Sequence, residues 1–91
     1  MKQSVMFTPS NELTFQTVQE NRRNFIVVLN KHTDPTISIC LKDVTVCDSA
    51  GLALLLEAKR LCLAQHKTLM LFEIPKVVSS WVEFCGLTTL L

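Results

Sequence analysis

Hydrophobic and polar residues alternate along some segments of the chain, and in others the hydrophobic residues recur every three to four positions. Alternation predicts a strand, and the longer recurrence predicts an amphipathic helix. Short strands are predicted at 5–7 and 13–16. A buried strand is predicted at 36–41, where Ile37, Ile39 and Leu41 fall on one face and Cys40 on the other. The apolar run at 69–71 predicts a second buried strand over 68–72.

Two of the predicted helices lie between these strands. Thr17 and Glu20 have the spacing of a capping box, in which each side chain binds the other residue's backbone N–H group. They predict a helix over about 17–31. Apolar residues at helical intervals predict a second helix over 49–66.

A third helix is predicted to begin near Pro75, because a residue without an N–H group suits the first turn of a helix. Gly86 is well placed to stop it, and 87–91 is expected to be a short tail whose last turn packs on the core. The order β-β-α-β-α-β-α indicates an α/β sandwich, with helices packed on a mixed sheet. One domain over 1–91 is expected.

The segment 44–52, Val-Thr-Val-Cys-Asp-Ser-Ala-Gly-Leu, is the most informative part of the chain. It places Asp48, Ser49 and Gly51 between a strand pattern and a helix pattern. Ser49 is therefore expected at a helix N-terminus, where unpaired N–H groups favour negative charge and would accommodate a phosphate. The alternative is that Asp48 or Ser49 simply caps the helix.

The second helix has two predicted faces. A rotation of 100° per residue from Ser49 places a set of mostly small and apolar residues on one side, which is assigned to the core: Gly51, Leu54, Leu55, Ala58, Leu61, Cys62 and Gln65. The opposite side, expected to face solvent, carries Ser49, Leu52, Ala53, Leu56, Lys59, Arg60 and Leu63. Three leucines in line with Ser49 indicate a docking surface. Alternatively, the helix is rolled and those leucines are buried.

Composition narrows the classes of function. The chain has 91 residues, of which 48% are hydrophobic and 19% charged, with a net charge of +1 and a mean hydropathy of +0.32. This hydropathy indicates some apolar surface meant for a partner. The only basic pairs are Arg22-Arg23 and Lys59-Arg60, without the basic stripe and interleaved aromatics that nucleic-acid binding requires. No signal peptide or membrane span is evident, so a cytoplasmic protein is expected.

The potential metal ligands and nucleophiles are widely spaced. They comprise Cys40, Cys47, Cys62, Cys85, His32 and His66. No Cys-x-x-Cys pair is present, so no metal site is expected, and the cysteines are interpreted as small core residues. Ser49 has no histidine nearby in sequence, which argues against an enzyme. With two glycines and no phosphate-binding loop, no nucleotide or other cofactor is expected.

The chain resembles the STAS family, named after sulfate transporters and anti-sigma-factor antagonists. The resemblance spans about 37–87. It is strongest over 39–52, Ile-Cys-Leu-Lys-Asp-Val-Thr-Val-Cys-Asp-Ser-Ala-Gly-Leu, and continues through Lys-Thr-Leu at 67–69 and Phe-Cys-Gly-Leu at 84–87. It implies a STAS-type α/β sandwich with three or four helices.

Within that family, the run Gly-Leu-Ala-Leu-Leu-Leu at 51–56 is most similar to the small STAS subunit of the Mla phospholipid-transport ABC complex. The resemblance implies a non-catalytic subunit that docks on the ATPase and reaches the inner membrane only through that partner. In anti-sigma-factor antagonists, the serine that follows the motif aspartate is phosphorylated by a partner kinase. Asp48 and Ser49 match those two positions, so phosphorylation of Ser49 is the alternative.

Two departures from the family pattern weaken the phosphorylation hypothesis more than the docking hypothesis. The usual Gly-Glu-Leu before the first helix is absent, and Cys40 replaces the usual Asp or Asn. The docking hypothesis is therefore preferred to the antagonist hypothesis. The predicted partner-binding and regulatory residues are Asp48, Ser49, Gly51, Leu52, Leu56, Lys59 and Leu63.

Overall fold

The computed structural model describes residues 5–86. In chain order the elements are β1 (Val5–Phe7), β2 (Glu12–Leu13), α1 (Val18–Lys31), β3 (Thr36–Cys40), β4 (Val46–Cys47), α2 (Ser49–Ala64), β5 (Thr68–Phe72) and α3 (Lys76–Phe84). The predicted α/β class is confirmed, as are the three helices within about two residues at each end. The tail expected at 87–91 lies outside the described residues.

The strands form two small sheets, where one mixed sheet was expected. The larger has the order β1-β3-β5 and the smaller pairs β2 with β4, and every one of these pairs is parallel. A helix lies in the connection between β1 and β3, and another in the connection between β3 and β5. Each such crossover returns the chain to the same end of the sheet, which produces parallel neighbours.

The prediction that 68–72 is a buried strand was wrong. β3 is the central strand, and its residues from Ile37 onward are buried. β5 is an edge strand on which exposed and half-buried residues alternate, and Met70 and Phe72 are 45% and 39% exposed. A continuous apolar run therefore indicated a strand here but not burial on both of its faces.

The start of α1 also differs from its prediction. The helix follows Thr17 as expected, but the capping box is not formed. The Thr17 hydroxyl donates to the Glu12 carbonyl (2.6 Å) and accepts from the Thr14 N–H group (3.1 Å). The strand predicted at 13–16 is correspondingly short, because the chain leaves β2 after Leu13 and turns directly into α1.

α2 is the central helix of the fold. It contacts β5, and it packs against α1 and α3 as well as the small β2–β4 sheet. Its buried residues join side chains of the sheets and the other two helices in one hydrophobic core. No helix within residues 5–86 is both long and apolar enough to cross a membrane.

Candidate functional site

The candidate site is the start of α2, which Asp48 holds in place. Its carboxylate accepts hydrogen bonds from the N–H groups of Gly51 (3.1 Å, to Oδ1) and Phe15 (3.0 Å, to Oδ2). Its own N–H group donates to the Leu13 carbonyl (3.1 Å). The first bond is an N-cap, and the other two fasten the helix start to the end of β2 and to the residue two positions beyond it. Capping, the alternative interpretation of Asp48, is therefore what this residue does.

These contacts favour the ionised form of Asp48. The Phe15 N–H group, followed by that of Gly51, lowers the pKa of Asp48 below its ordinary value, because both donate to the charged carboxylate. At neutral pH the first turn of α2 therefore begins with a fixed negative charge. The Asp48 carboxylate already accepts the hydrogen bond of the Gly51 N–H group, which a phosphate at the helix N-terminus would otherwise use.

Gly51 permits a close approach between α2 and β2. A Cβ atom at this position would lie 2.1 Å from the Leu13 carbonyl oxygen and 2.8 Å from its carbonyl carbon. Any larger residue would therefore separate the helix from the strand. Gly51 is buried, so its place in the predicted site is to position the helix start rather than to touch a partner.

Ser49 is the first residue of α2 and is exposed, which confirms its predicted place at a helix start. No side-chain hydrogen bond joins its hydroxyl to any described residue. Phe15, held beside Asp48 by its backbone, is 79% exposed, and Val46, three residues before Ser49, is 45% exposed. Ala53, one turn along α2, is also exposed. We call Phe15, Val46, Ser49 and Ala53 the Ser49 surface.

The predicted row of exposed leucines is largely wrong. Leu52 is 3% exposed and belongs to the core, and Leu56 is partly buried against it. Only Leu63 is well exposed, at 60%. Leu52 belongs to the same core cluster as Val78 and Val82 of α3, so the buried side of α2 reaches as far round as Leu52. The alternative of a rolled helix is thus correct for Leu52 and in part for Leu56.

The other face of α2 also differs in detail from its prediction. Leu61 is only half-buried, and Gln65, which was assigned to the core side, is exposed and donates to Asn30 Oδ1 (3.0 Å). Leu54 is buried as predicted. Lys59, expected among the solvent-facing residues, is half-buried. The hydrophobic face of α2 is wider than a single-sided pattern predicts, because the helix contacts both other helices and strands of both sheets.

Two residues of this site are not evident from the sequence. Phe15 was assigned to a strand, yet it lies after β2 with its ring in solvent. Trp81 stands in the sequence only as one apolar residue of the third predicted helix, whereas in the structure its Nε1–H group donates to the Cys47 carbonyl (2.8 Å) and ties α3 to β4. An indole N–H group needs a hydrogen-bond acceptor when it is buried, but the sequence does not indicate which one.

Two of the buried cysteines are shown not to be activated nucleophiles by the pKa values of their thiols. Burial, and then the charge of Asp48, raises the pKa of Cys47 to about 11, and burial also raises the pKa of Cys62. Both thiols therefore stay protonated at neutral pH. Cys40, Cys47 and Cys62 are buried as predicted, but Cys85 is exposed. Within residues 5–86, no cluster of His, Cys, Asp and Glu could hold a metal ion.

The comparison with protein families agrees with this arrangement. The STAS domain model matches residues 2–91, and the chain belongs to the STAS family. No curated protein matches the chain. STAS domains are generally non-catalytic regulatory domains, and membership indicates a role either as an anti-sigma-factor antagonist or in association with a transporter.

Proposed function

We propose that this STAS domain is a non-catalytic subunit that docks on and regulates the ATPase of a phospholipid-transport ABC complex. It would act on the cytoplasmic side and reach the inner membrane only through that partner. The observation that carries the proposal is the Ser49 surface, where an exposed hydroxyl and an exposed phenyl ring stand on a firmly held helix start.

The rigidity of the Ser49 surface supports a role in docking. Asp48 and Gly51 hold the start of α2, and the same carboxylate holds the backbone of Phe15. A surface that is already ordered loses little conformational entropy when a partner binds. An aromatic side chain that stays exposed beside a polar anchor is typical of a protein-binding surface.

The proposal is tested with the phospholipid-transport ATPase subunit of the organism that encodes this chain. Its affinity for the purified domain is measured by calorimetry for the wild type, Ser49→Asp and Phe15→Glu. Both substitutions place a charge on the Ser49 surface, so each should weaken binding at least tenfold. Neither should change the fold, because both side chains are exposed and an acidic residue is favourable at a helix start.

Met70→Glu supplies the matched control. Met70 is exposed on β5, which contributes no residue to the Ser49 surface, and its substitution also introduces one negative charge. It should leave the affinity unchanged. Full ATPase binding by folded Ser49→Asp and Phe15→Glu variants would contradict the proposed surface, and no binding by the wild type would contradict the proposed function. Leu56 is unsuitable for this test because it packs against the core.

The exposure of Ser49 favours a second candidate function, that of an anti-sigma-factor antagonist. A partner kinase would transfer the γ-phosphoryl group of ATP to the Ser49 hydroxyl, with release of ADP and the hydroxyl proton. The phosphate would add about −1.5 to −2 charges next to the Asp48 carboxylate. Because Asp48 already holds the Gly51 N–H group, that charge would lie at the contact surface and repel the partner.

Ser49→Ala distinguishes the two candidates. A docking subunit that uses the hydroxyl as a contact should lose about 0.5–1.5 kcal/mol of binding free energy to the ATPase. An antagonist should keep its affinity for the kinase, but the variant should no longer incorporate phosphate. Phosphate incorporation into the wild type alone, together with failure to bind the ATPase, would favour the antagonist.

A further inference from the structure

A groove runs between α1 and α2 beside the Ser49 surface. Its volume is about 230 Å³, and its lining is mostly apolar. α1 contributes Val18, Gln19 and Arg22 to it, and α2 contributes Ala50, Ala53, Leu54 and Glu57. Ala53 belongs both to this lining and to the Ser49 surface, so the groove continues the surface proposed to bind the partner.

Small side chains on α2 keep this groove open. Ala50 and Ala53 lie where the two helices face each other near their starts, and neither fills the space between them. Arg22 and Glu57 bridge α1 and α2 with an ion pair of 2.7 Å between Nε and Oε1. The result is a shallow apolar groove with a salt bridge in its lining.

Positive charge predominates along the α1 side. A second groove of about 410 Å³ runs over the surface of α1 and shares Gln19 and Arg22 with the first. Arg23 and Val27 also line it, and Val27 is 57% exposed. Glu57 is neutralised by Arg22, whereas Arg23 has no ion-pair partner among residues 5–86. The two connected grooves therefore combine apolar walls with one arginine that is not neutralised.

We propose that this groove receives a segment of the ATPase partner that presents a large apolar side chain with a carboxylate beside it. The apolar side chain would lie over Ala50 and Ala53, and the carboxylate would pair with Arg23. The apolar lining favours the first group, and the excess of positive charge favours the second. This inference rests on the proposed docking function, and it extends the contact from Ser49 across to α1.

Two substitutions test the two halves of the proposal with the same purified ATPase. Ala53→Trp should fill the groove and weaken binding to the ATPase at least tenfold. Ala64→Trp, at the other end of α2, should leave the groove open and the affinity unchanged. Arg23→Glu should weaken binding several-fold, mainly through slower association, and this loss should shrink at high salt. Lys31→Glu, the same change of charge at the far end of α1, should have little effect.

NMR mapping gives a readout that does not depend on these variants. Addition of unlabelled ATPase to the 15N-labelled domain should shift the amide signals of Gln19, Ala50 and Ala53 together with that of Ser49. This inference is overturned, and the proposed function stands, under three joint results: the wild type binds the ATPase, Ser49→Asp weakens that binding, and both groove variants bind as tightly as the wild type. If the wild type fails to bind the ATPase, both are overturned.

Discussion

The starts of α1 and α2 are both fastened to the chain between β1 and α1, but by different kinds of side-chain contact. At α1, the Thr17 hydroxyl binds Glu12 and Thr14 and leaves the helix N–H groups without a side-chain cap. At α2, the Asp48 carboxylate caps the helix and also holds Phe15. One neutral side chain thus organises a turn, whereas one charged side chain joins a helix end to a neighbouring segment.

This difference explains why the candidate site is at α2. The start of α1 has a second polar anchor in Asn21, which is buried and exchanges hydrogen bonds with Ser10. The bonds of Asn21 join α1 to the segment between β1 and β2. At α2 the bonds of Asp48 and the close packing of Gly51 fix the backbone, so Ser49 can remain exposed without being needed for stability. A side chain that the fold does not use is available to a partner.

The largest effect is expected at Gly51, the third residue after Asp48. Gly51→Ala would place a Cβ atom 2.1 Å from the Leu13 carbonyl oxygen, so helix and strand must separate. We expect a loss of about 2 kcal/mol in the free energy of unfolding, which the better helix propensity of alanine reduces only in part. Glu20→Ala, at the equivalent position of α1, should cost less than about 1 kcal/mol. Equal losses in urea denaturation would remove the distinction between the two starts.

A smaller effect is expected from the support that α3 gives to the start of α2. Trp81→Phe keeps the aromatic ring in the core but removes the Nε1–H bond to the Cys47 carbonyl. The free energy of unfolding should fall by about 1 kcal/mol. Hydrogen exchange should become faster at Leu52 near the start of α2 and stay unchanged at Asn21 near the start of α1. Unchanged exchange at Leu52 would show that α3 does not support the site.

The charge of Asp48 should make the two starts respond differently to pH. Because the pKa of Asp48 is lower in the folded state, its stabilising contribution is complete above the unfolded pKa of about 4 and is lost as the pH falls through the folded pKa. Asp48→Asn should therefore be less stable than the wild type at pH 6, and the difference should shrink as the pH falls below about 4. Thr17→Val, which carries no titrating group, should lower stability equally at both pH values. Thermal unfolding at pH 3 and pH 6 provides the measurement.

The smallest effect on stability is expected at Ser49 itself. Its hydroxyl is exposed and makes no hydrogen bond to another described residue, so Ser49→Ala should change the free energy of unfolding by less than about 0.5 kcal/mol. Denaturation in urea, with the wild type measured in parallel, tests this. A larger loss would mean that Ser49 belongs to the framework of the helix start, as Asp48 and Gly51 do, and is not reserved for a partner.

Local patterns predicted the parts of the site that depend on neighbours in sequence. Asp48 and Ser49 were placed at a helix start because a capping residue and the first turn it caps are adjacent in the chain. The same reasoning failed at Thr17, whose spacing to Glu20 fits a capping box that is not formed. There the hydroxyl binds the backbone of the preceding turn, and a spacing rule does not include that competing acceptor.

Local patterns did not predict which side chains are buried where two elements pack against each other. A helical pattern indicates that α2 has an apolar side, but the angle at which that side ends depends on which helices pack beside it. Leu52 is buried in the shared core, whereas Leu63 remains exposed. Phe15 likewise looked like a strand residue, and only its neighbour Asp48 from 33 positions away explains its place beside the start of α2.

The sequence by itself determined the α/β class, the three helices, the helix start at Ser49 and the family. The class, the helices and the helix start depend on periodicity and on adjacent residues, which act over one or two turns of chain, whereas the family follows from the resemblance of the motif at 39–52. Only the tertiary structure decided that β5 lies at an edge, that Leu52 is buried, that Gly51 must remain small, and that Phe15 and Ala53 accompany Ser49 at the surface. The physical reason is that burial and close approach are properties of pairs of elements, and a single element does not specify what will pack against it.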